Sequence, residues 1–189
     1  MIVYHGTMDR YAEDIQHNGI LLTKSKEFLN FGKGFYTTPD FNFAFNTACL
    51  KANRNNEHGG VYANPAILKF EFNEKVDGII RKSFDGYNNE WKRFVLHNRL
   101  GVKYIEQYNL KGHNIDCKYD IVCGETADGD ISSLILNIKR GNVEINNQIY
   151  ELIDIKRPKI WGTQVSFHTS KSLTCINMVG CDIIRLEKE

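Results

Sequence analysis

Three short stretches of this chain carry side chains able to do chemistry: "YHGT" at residues 4–7, "NFGKGFYTTPD" at 30–40 and "QVSFHT" at 164–169. His5 offers a ring that can donate, accept or carry a proton, and Gly6 beside it lets a ligand approach the backbone. Gly32, Lys33 and Gly34 raise the question of a phosphate cradle. A P-loop needs its lysine after the second glycine and a helix to follow. Here Lys33 lies between the glycines and a strand-like run follows, so those mechanics fail. A dinucleotide fingerprint fails too, because G-x-G-x-x-G is absent from the stretch. The glycines instead free the backbone at a turn and leave room beside Tyr36. Locally each residue has two readings: Tyr36 packs in the core or presents its ring, His5 is a bonded core histidine or a ligand contact, and Gln164 is an exposed strand-start amide or part of a site.

Mixed secondary structure must position these residues. "IVYHG" reads as a strand, followed by a helix through Tyr11, Ala12 and Ile15 that stops at "HNG". "GFYTT" is rich in aromatic and β-branched residues, the pattern of a strand. It ends at Pro39, and Asp40 then caps a helix whose Phe41, Ala44, Phe45, Ala48 and Ala52 form one apolar face. "AILKFEF" alternates Leu68, Phe70 and Phe72 on one side of a half-buried strand. "EWKRFVLHNRLG" predicts a helix around Trp91, Phe94 and Val95 that stops at Gly101, and "YDIVCG" predicts a short strand. Asp130 caps "ISSLILNIKRG", with Ile131, Leu134, Ile135 and Ile138 on one side and Gly141 at the stop. A helix near Gln148–Ile153, a strand at "TQVSFHT", a helix from Ser170 and a closing strand "DIIRLE" complete the order. The class is α+β (mixed α/β), and the length fits a single domain over residues 1–189.

Of 189 residues, 42% are hydrophobic and 25% charged, the balance of a soluble globular chain. A formal net charge of +1 gives no global pull toward nucleic acid or a membrane. The basic run "IKRPK" at 155–159 reads as solvated surface. Five cysteines without a C-x-x-C pair point to reduced thiols, and their spacing does not suit zinc. The N-terminus lacks the features of a signal peptide, and no run reaches the length of a membrane span, so the expectation is a cytoplasmic protein without bound metal.

In their order along the chain, "YHGT", "FGKGFYTT", "YDIVCGETAD" and "QVSFHT" resemble the ADP-ribosyltransferase superfamily, and more closely a poorly characterised, mainly bacterial family within it. The resemblance spans roughly residues 3–175. It implies a split β-sheet core with flanking helices and an NAD cleft between the sheet halves. It further implies that His5, Tyr36 and Gln164 are the catalytic set, and that His5, Gly6, Thr7, Gly34, Phe35, Tyr36 and Thr37 bind NAD. His5 would bond the adenosine ribose, the Gly6 backbone would hold the nicotinamide amide, and Tyr36 would stack on the nicotinamide ring. Gln164 stands where many members carry glutamate: its carbonyl can accept a bond from the ribose 2′-hydroxyl, but it brings no charge and is no general base. "GETADGD" also departs from the family's "G-x-x-A-N-D", leaving Asp120, Glu125 and Asp128 as carboxylates that could assist or merely cap turns. The implied activity is NAD-dependent mono-ADP-ribosylation of a macromolecule, protein or nucleic acid, in a toxin-like or phage-conflict role with an antitoxin partner. NAD hydrolysis and non-catalytic NAD binding are the alternatives.

Overall fold

Alternating apolar residues in "AILKFEF" build β3 (Pro65–Phe72), which is paired on both sides, buried on both faces over its first half and open at Lys69 and Glu71 on one face of its second. The computed structural model describes residues 1–86, 88–127, 130–146, 148–155 and 162–185. β3 pairs antiparallel with β1 (Ile2–Met8) on one side and β7 (Ile176–Ile183) on the other. Leu68, Phe70 and Phe72 pack with Val3 and with Ala12 of α1 (Asp9–Asn18). Ile67 faces the other way, onto Ala44 and Ala48 of α2 (Phe41–Glu57).

A second sheet runs β2-β6-β5-β4, with β2 Phe35–Thr37, β6 Thr163–Phe167, β5 Ile121–Glu125 and β4 Arg81–Ser83. Only β4–β5 is parallel among its pairings. One face of this sheet carries a helical layer of α3 (Asn89–Leu100), α5 (Asp130–Lys139) and α6 (Ile149–Ile155) around Trp91, Phe94 and Phe31. α4 (Val102–Tyr108) follows α3 directly, and α7 (Ser170–Leu173) lies between β6 and β7. The molecule is therefore α+β, as the element order predicts, and its strands form two sheets.

Several expectations meet their physical cause. The Asp40 side chain accepts from the Phe43 amide and starts α2. Gly101, at φ 90°, ends α3, and Gly141, at φ 75°, follows the end of α5. Ile131, Leu134, Ile135 and Ile138 are all buried. Others are corrected. Phe41 and Phe45 do not share the buried stripe of Ala44, Ala48 and Ala52; they stack on each other in solvent, 44% and 36% exposed. The closing strand begins at Ile176, six residues before "DIIRLE", because β7 follows the full length of β3. β4 and α4 carry no pattern that the sequence reading recognised. Asp128 and residues 156–159 of the basic run lie outside the described residues, as does the Asp130 side chain. No helix among the described residues is long and apolar enough to cross a membrane.

Candidate functional site

The two sheets meet at one residue pair. Tyr4 and Thr38 exchange both backbone hydrogen bonds, 2.7 and 2.9 Å. β1 and β2 then part, and the parting can be followed bond by bond. Met1 and Asp9 bond toward the β3 side, so odd-numbered residues of β1 turn their backbone groups to β3. Even-numbered Gly6 therefore points its N–H and C=O away from β3, into the opening between β1 and β2. By the same alternation Tyr36 points its carbonyl into the opening from the β2 side.

His5 spans this seam. Its Nδ1 lies 2.6 Å from the Tyr36 carbonyl oxygen, which can only accept, so Nδ1 carries the proton. Its ring stacks on Phe35 at 4.6 Å between centroids. Desolvation, followed by the nearby Lys51 charge, lowers the His5 pKa to about 3, and the Tyr36 bond only partly offsets this. The ring is therefore neutral, and with Nδ1 committed its Nε2 is a hydrogen-bond acceptor. His5 remains partly accessible, although protein surrounds it.

Gly6 is held close by packing. A Cβ there would lie 2.0 Å from the Ala44 carbonyl oxygen and 3.1 Å from the Ala48 nitrogen, both backbone atoms of α2. That close approach brings Lys51, one turn further along α2, over the seam, where its Nζ donates to the Gly6 carbonyl at 2.6 Å.

Tyr36 and Gln164 share a face. Tyr36 pairs with Ser166, and Gln164 lies two residues from Ser166 on the same strand. His5 leans the other way, onto Phe35. The structure thus brings Tyr36 and Gln164 to one face of β2–β6 and His5 to the seam beside them; a ligand touching all three would have to lie across the seam. The Tyr36 hydroxyl is already engaged, donating to the Gly32 carbonyl at 2.6 Å and accepting from the Phe31 amide at 2.9 Å. Its ring lies parallel to Phe31 and edge-on to His168, and the residue as a whole stays partly accessible. Gln164 Oε1 accepts a long 3.4 Å bond from Asn30 Nδ2, which also reaches the Ala127 carbonyl at 3.2 Å.

The other sequence-predicted residues are committed to structural contacts. Thr7 is buried and its backbone turns to β3. Phe35 is wedged between His5 and Phe70. The Thr37 hydroxyl donates to the Val165 carbonyl. Both backbone groups of Gly34 bond the Ser25 hydroxyl, and a Cβ there would lie 2.7 Å from the His168 ring. Asp120 is a brace: burial opposes its ionisation, but the Thr169 hydroxyl and Ile80 amide outweigh this and hold the carboxyl below the usual range. Glu125 lends its backbone carbonyl to the Trp91 indole.

Sequence reasoning missed Lys51, Asn30 and His168. Lysine on a helix reads as solvated surface, and only the packing of α2 on Gly6 brings Lys51 over the seam. Among the described residues no group of three His, Cys, Asp or Glu side chains is arranged to hold a metal ion.

Neither the curated proteins nor the solved structures contain a match to the chain. A family model described as a protein of unknown function, DUF3990, matches residues 1–178, so the chain belongs to the DUF3990 family.

Proposed function

We propose that the protein binds NAD across the seam between β1 and β2 and transfers its ADP-ribose to a macromolecular acceptor. The observation that carries this reading is the seam: two strands parting after one bonded pair, with the Gly6 backbone and the His5 Nε2 acceptor at the opening. Gly6 carries an N–H and a C=O side by side, which complement the carbonyl and amino groups of a carboxamide once the Lys51 ammonium swings away from the carbonyl. His5 Nε2 can accept from a ribose hydroxyl. Tyr36, which stays partly accessible, can set its ring against a planar heterocycle. Gln164 Oε1 can exchange its long bond to Asn30 for a shorter one from the ribose 2′-hydroxyl.

In the reaction the acceptor's nucleophile bonds to C1′ of the nicotinamide ribose while the bond from C1′ to the ring nitrogen breaks. The electron pair leaves with nicotinamide and cancels its positive charge; the acceptor gives up its proton to solvent. The chain contributes by orienting the ribose and by directing the Gln164 carbonyl dipole toward the developing cation. A cytoplasmic setting belongs to this reading and rests on five free thiols. The toxin-like role and antitoxin partner stay attached to the resemblance alone.

Binding without turnover is the second reading, favoured by the uncharged Gln164 and the committed Tyr36 hydroxyl. Purified protein incubated with NAD labelled in its adenosine half, with and without lysate, separates the outcomes. Label on a macromolecule supports transfer, free ADP-ribose supports hydrolysis, and bound but intact NAD supports the binding module. Absence of any binding refutes the NAD reading.

A further inference from the structure

We propose that His168 is a positioning residue for Tyr36. Oriented by Ser166, it holds the Lys33 carbonyl in the turn between Gly32 and Gly34, and so sets the ring that the NAD reading above places against the ligand. Four observations converge. Gln164, Ser166 and His168 alternate along one extended run, so they share the face on which Tyr36 lies opposite Ser166. The ladder continues past the end of β6, because the His168 amide donates to the Asp120 carbonyl at 2.9 Å. His168 Nδ1 lies 2.8 Å from the Lys33 carbonyl oxygen, which can only accept, so Nδ1 carries the proton. The ring is buried and stands edge-on to Tyr36, with 6.2 Å between centroids.

The remaining proton follows. Burial lowers the His168 pKa to about 4 against the opposing Lys33 bond and Asp120 charge, so the ring is neutral at pH 7. Its Nε2 therefore accepts, and the buried Ser166 hydroxyl, 2.8 Å away, donates to it. The Val122 carbonyl, at 3.1 Å, is the hydroxyl's longer alternative. Ser166 thus selects the tautomer that can bond Lys33. Lys33 stands between two glycines, where sterics restrain the backbone least. The Gly32 carbonyl accepts from the Tyr36 hydroxyl at 2.6 Å, so an unpinned turn lets that acceptor and the ring drift together. Gly34 makes room for the arrangement: a Cβ there would lie 2.7 Å from His168 Nδ1.

The test joins ligand-free measurements to a titration, all on the intact protein. Nitrogen NMR of the imidazole should show His168 protonated at Nδ1 and bare at Nε2 at pH 7; the opposite tautomer refutes the proposal. An asparagine amide nitrogen lies two bonds beyond Cβ, as Nδ1 does, whereas that of glutamine lies three bonds beyond, as Nε2 does. His168→Asn should therefore keep the Lys33 bond, and His168→Gln should lose it. Hydrogen exchange of the Phe31 amide, which donates to the Tyr36 hydroxyl, reads the turn without any ligand. It should speed up about fivefold or more in His168→Gln, as for one lost neutral bond, and less in His168→Asn. NAD affinity, titrated well below each variant's melting midpoint, should fall in the same order, by about fivefold for His168→Gln. With Tyr36→Ala already in place, His168→Gln should weaken NAD binding no further, because no ring remains to position. Parent-like Phe31 exchange in His168→Gln refutes the positioning role, and so does an additive loss in the double variant. The two proposals fail separately. A parent that does not bind NAD, while its Phe31 exchange depends on His168, keeps the positioning role and loses the NAD reading. A His168→Gln variant that binds NAD as tightly as the parent keeps the NAD reading and loses the positioning role.

Discussion

Replacing Tyr36 with phenylalanine separates what its ring does from what its hydroxyl does. The hydroxyl ties the turn before β2 by accepting from the Phe31 amide and donating to the Gly32 carbonyl. Phe31 is wholly buried and Gly32 sits at φ 91°, so this turn is both enclosed and conformationally special. Tyr36→Phe leaves one buried donor and one buried acceptor without their partner. At about 1–1.5 kcal/mol for each lost bond, the variant loses roughly 2–3 kcal/mol of stability. For a chain of this size each kcal/mol moves the melting temperature by about 2–4 °C, which gives a fall of roughly 4–12 °C. Thermal denaturation followed by circular dichroism reads this directly. Titration with NAD well below the new midpoint reads the other half: affinity should stay near the parent's, because the ring survives, whereas Tyr36→Ala should bind more weakly at the same temperature. A Tyr36→Phe variant that melts with the parent would refute the tied hydroxyl. Equal NAD affinity for the two variants would refute the ring's role.

Gly6→Ala puts a Cβ 2.0 Å from the Ala44 carbonyl oxygen, so α2 must move by about 1 Å or more. The expected cost is about 1–3 kcal/mol in denaturant unfolding, accompanied by weaker NAD binding; unchanged stability would contradict the close packing of α2 on β1. Gln164→Ala removes the acceptor proposed for the ribose 2′-hydroxyl and should slow nicotinamide release ~10²-fold or more, with a smaller change in affinity. Gln164→Glu keeps the acceptor and adds negative charge near the developing cation, so it should release nicotinamide at least as fast as the parent. An alanine variant as fast as the parent would remove Gln164 from the reaction. Three histidines are held below their ordinary pKa chiefly by desolvation: His5 to about 3, His168 to about 4, and His97. The unfolded chain binds more protons at these sites once the pH drops below about 6.5. Stability should therefore be complete above that pH and decline toward pH 4, and a chemical-denaturation midpoint that stays constant from pH 7 to pH 4.5 would contradict their burial as neutral rings.

The sequence by itself determined the features whose causes are local. The Asp40 cap, the Gly101 stop and the alternation of Leu68, Phe70 and Phe72 each depend on a few neighbouring residues. They were legible without knowing the partner. So was the α+β class, which follows from the order of periodicities. Tertiary structure decided what depends on pairing. Arg81–Ser83 is a strand because β5 lies beside it, and β7 starts at Ile176 because β3 supplies ladder bonds that far. The side-chain faces of His5, Tyr36 and Gln164 are fixed by register: Tyr36 opposite Ser166 places it with Gln164, and the Tyr4–Thr38 pair sends His5 to Phe35. Lys51 is the extreme case. Its place in the seam, 45 residues from Gly6 in the chain, depends on α2 meeting a glycine with no Cβ, a contact that no local pattern encodes.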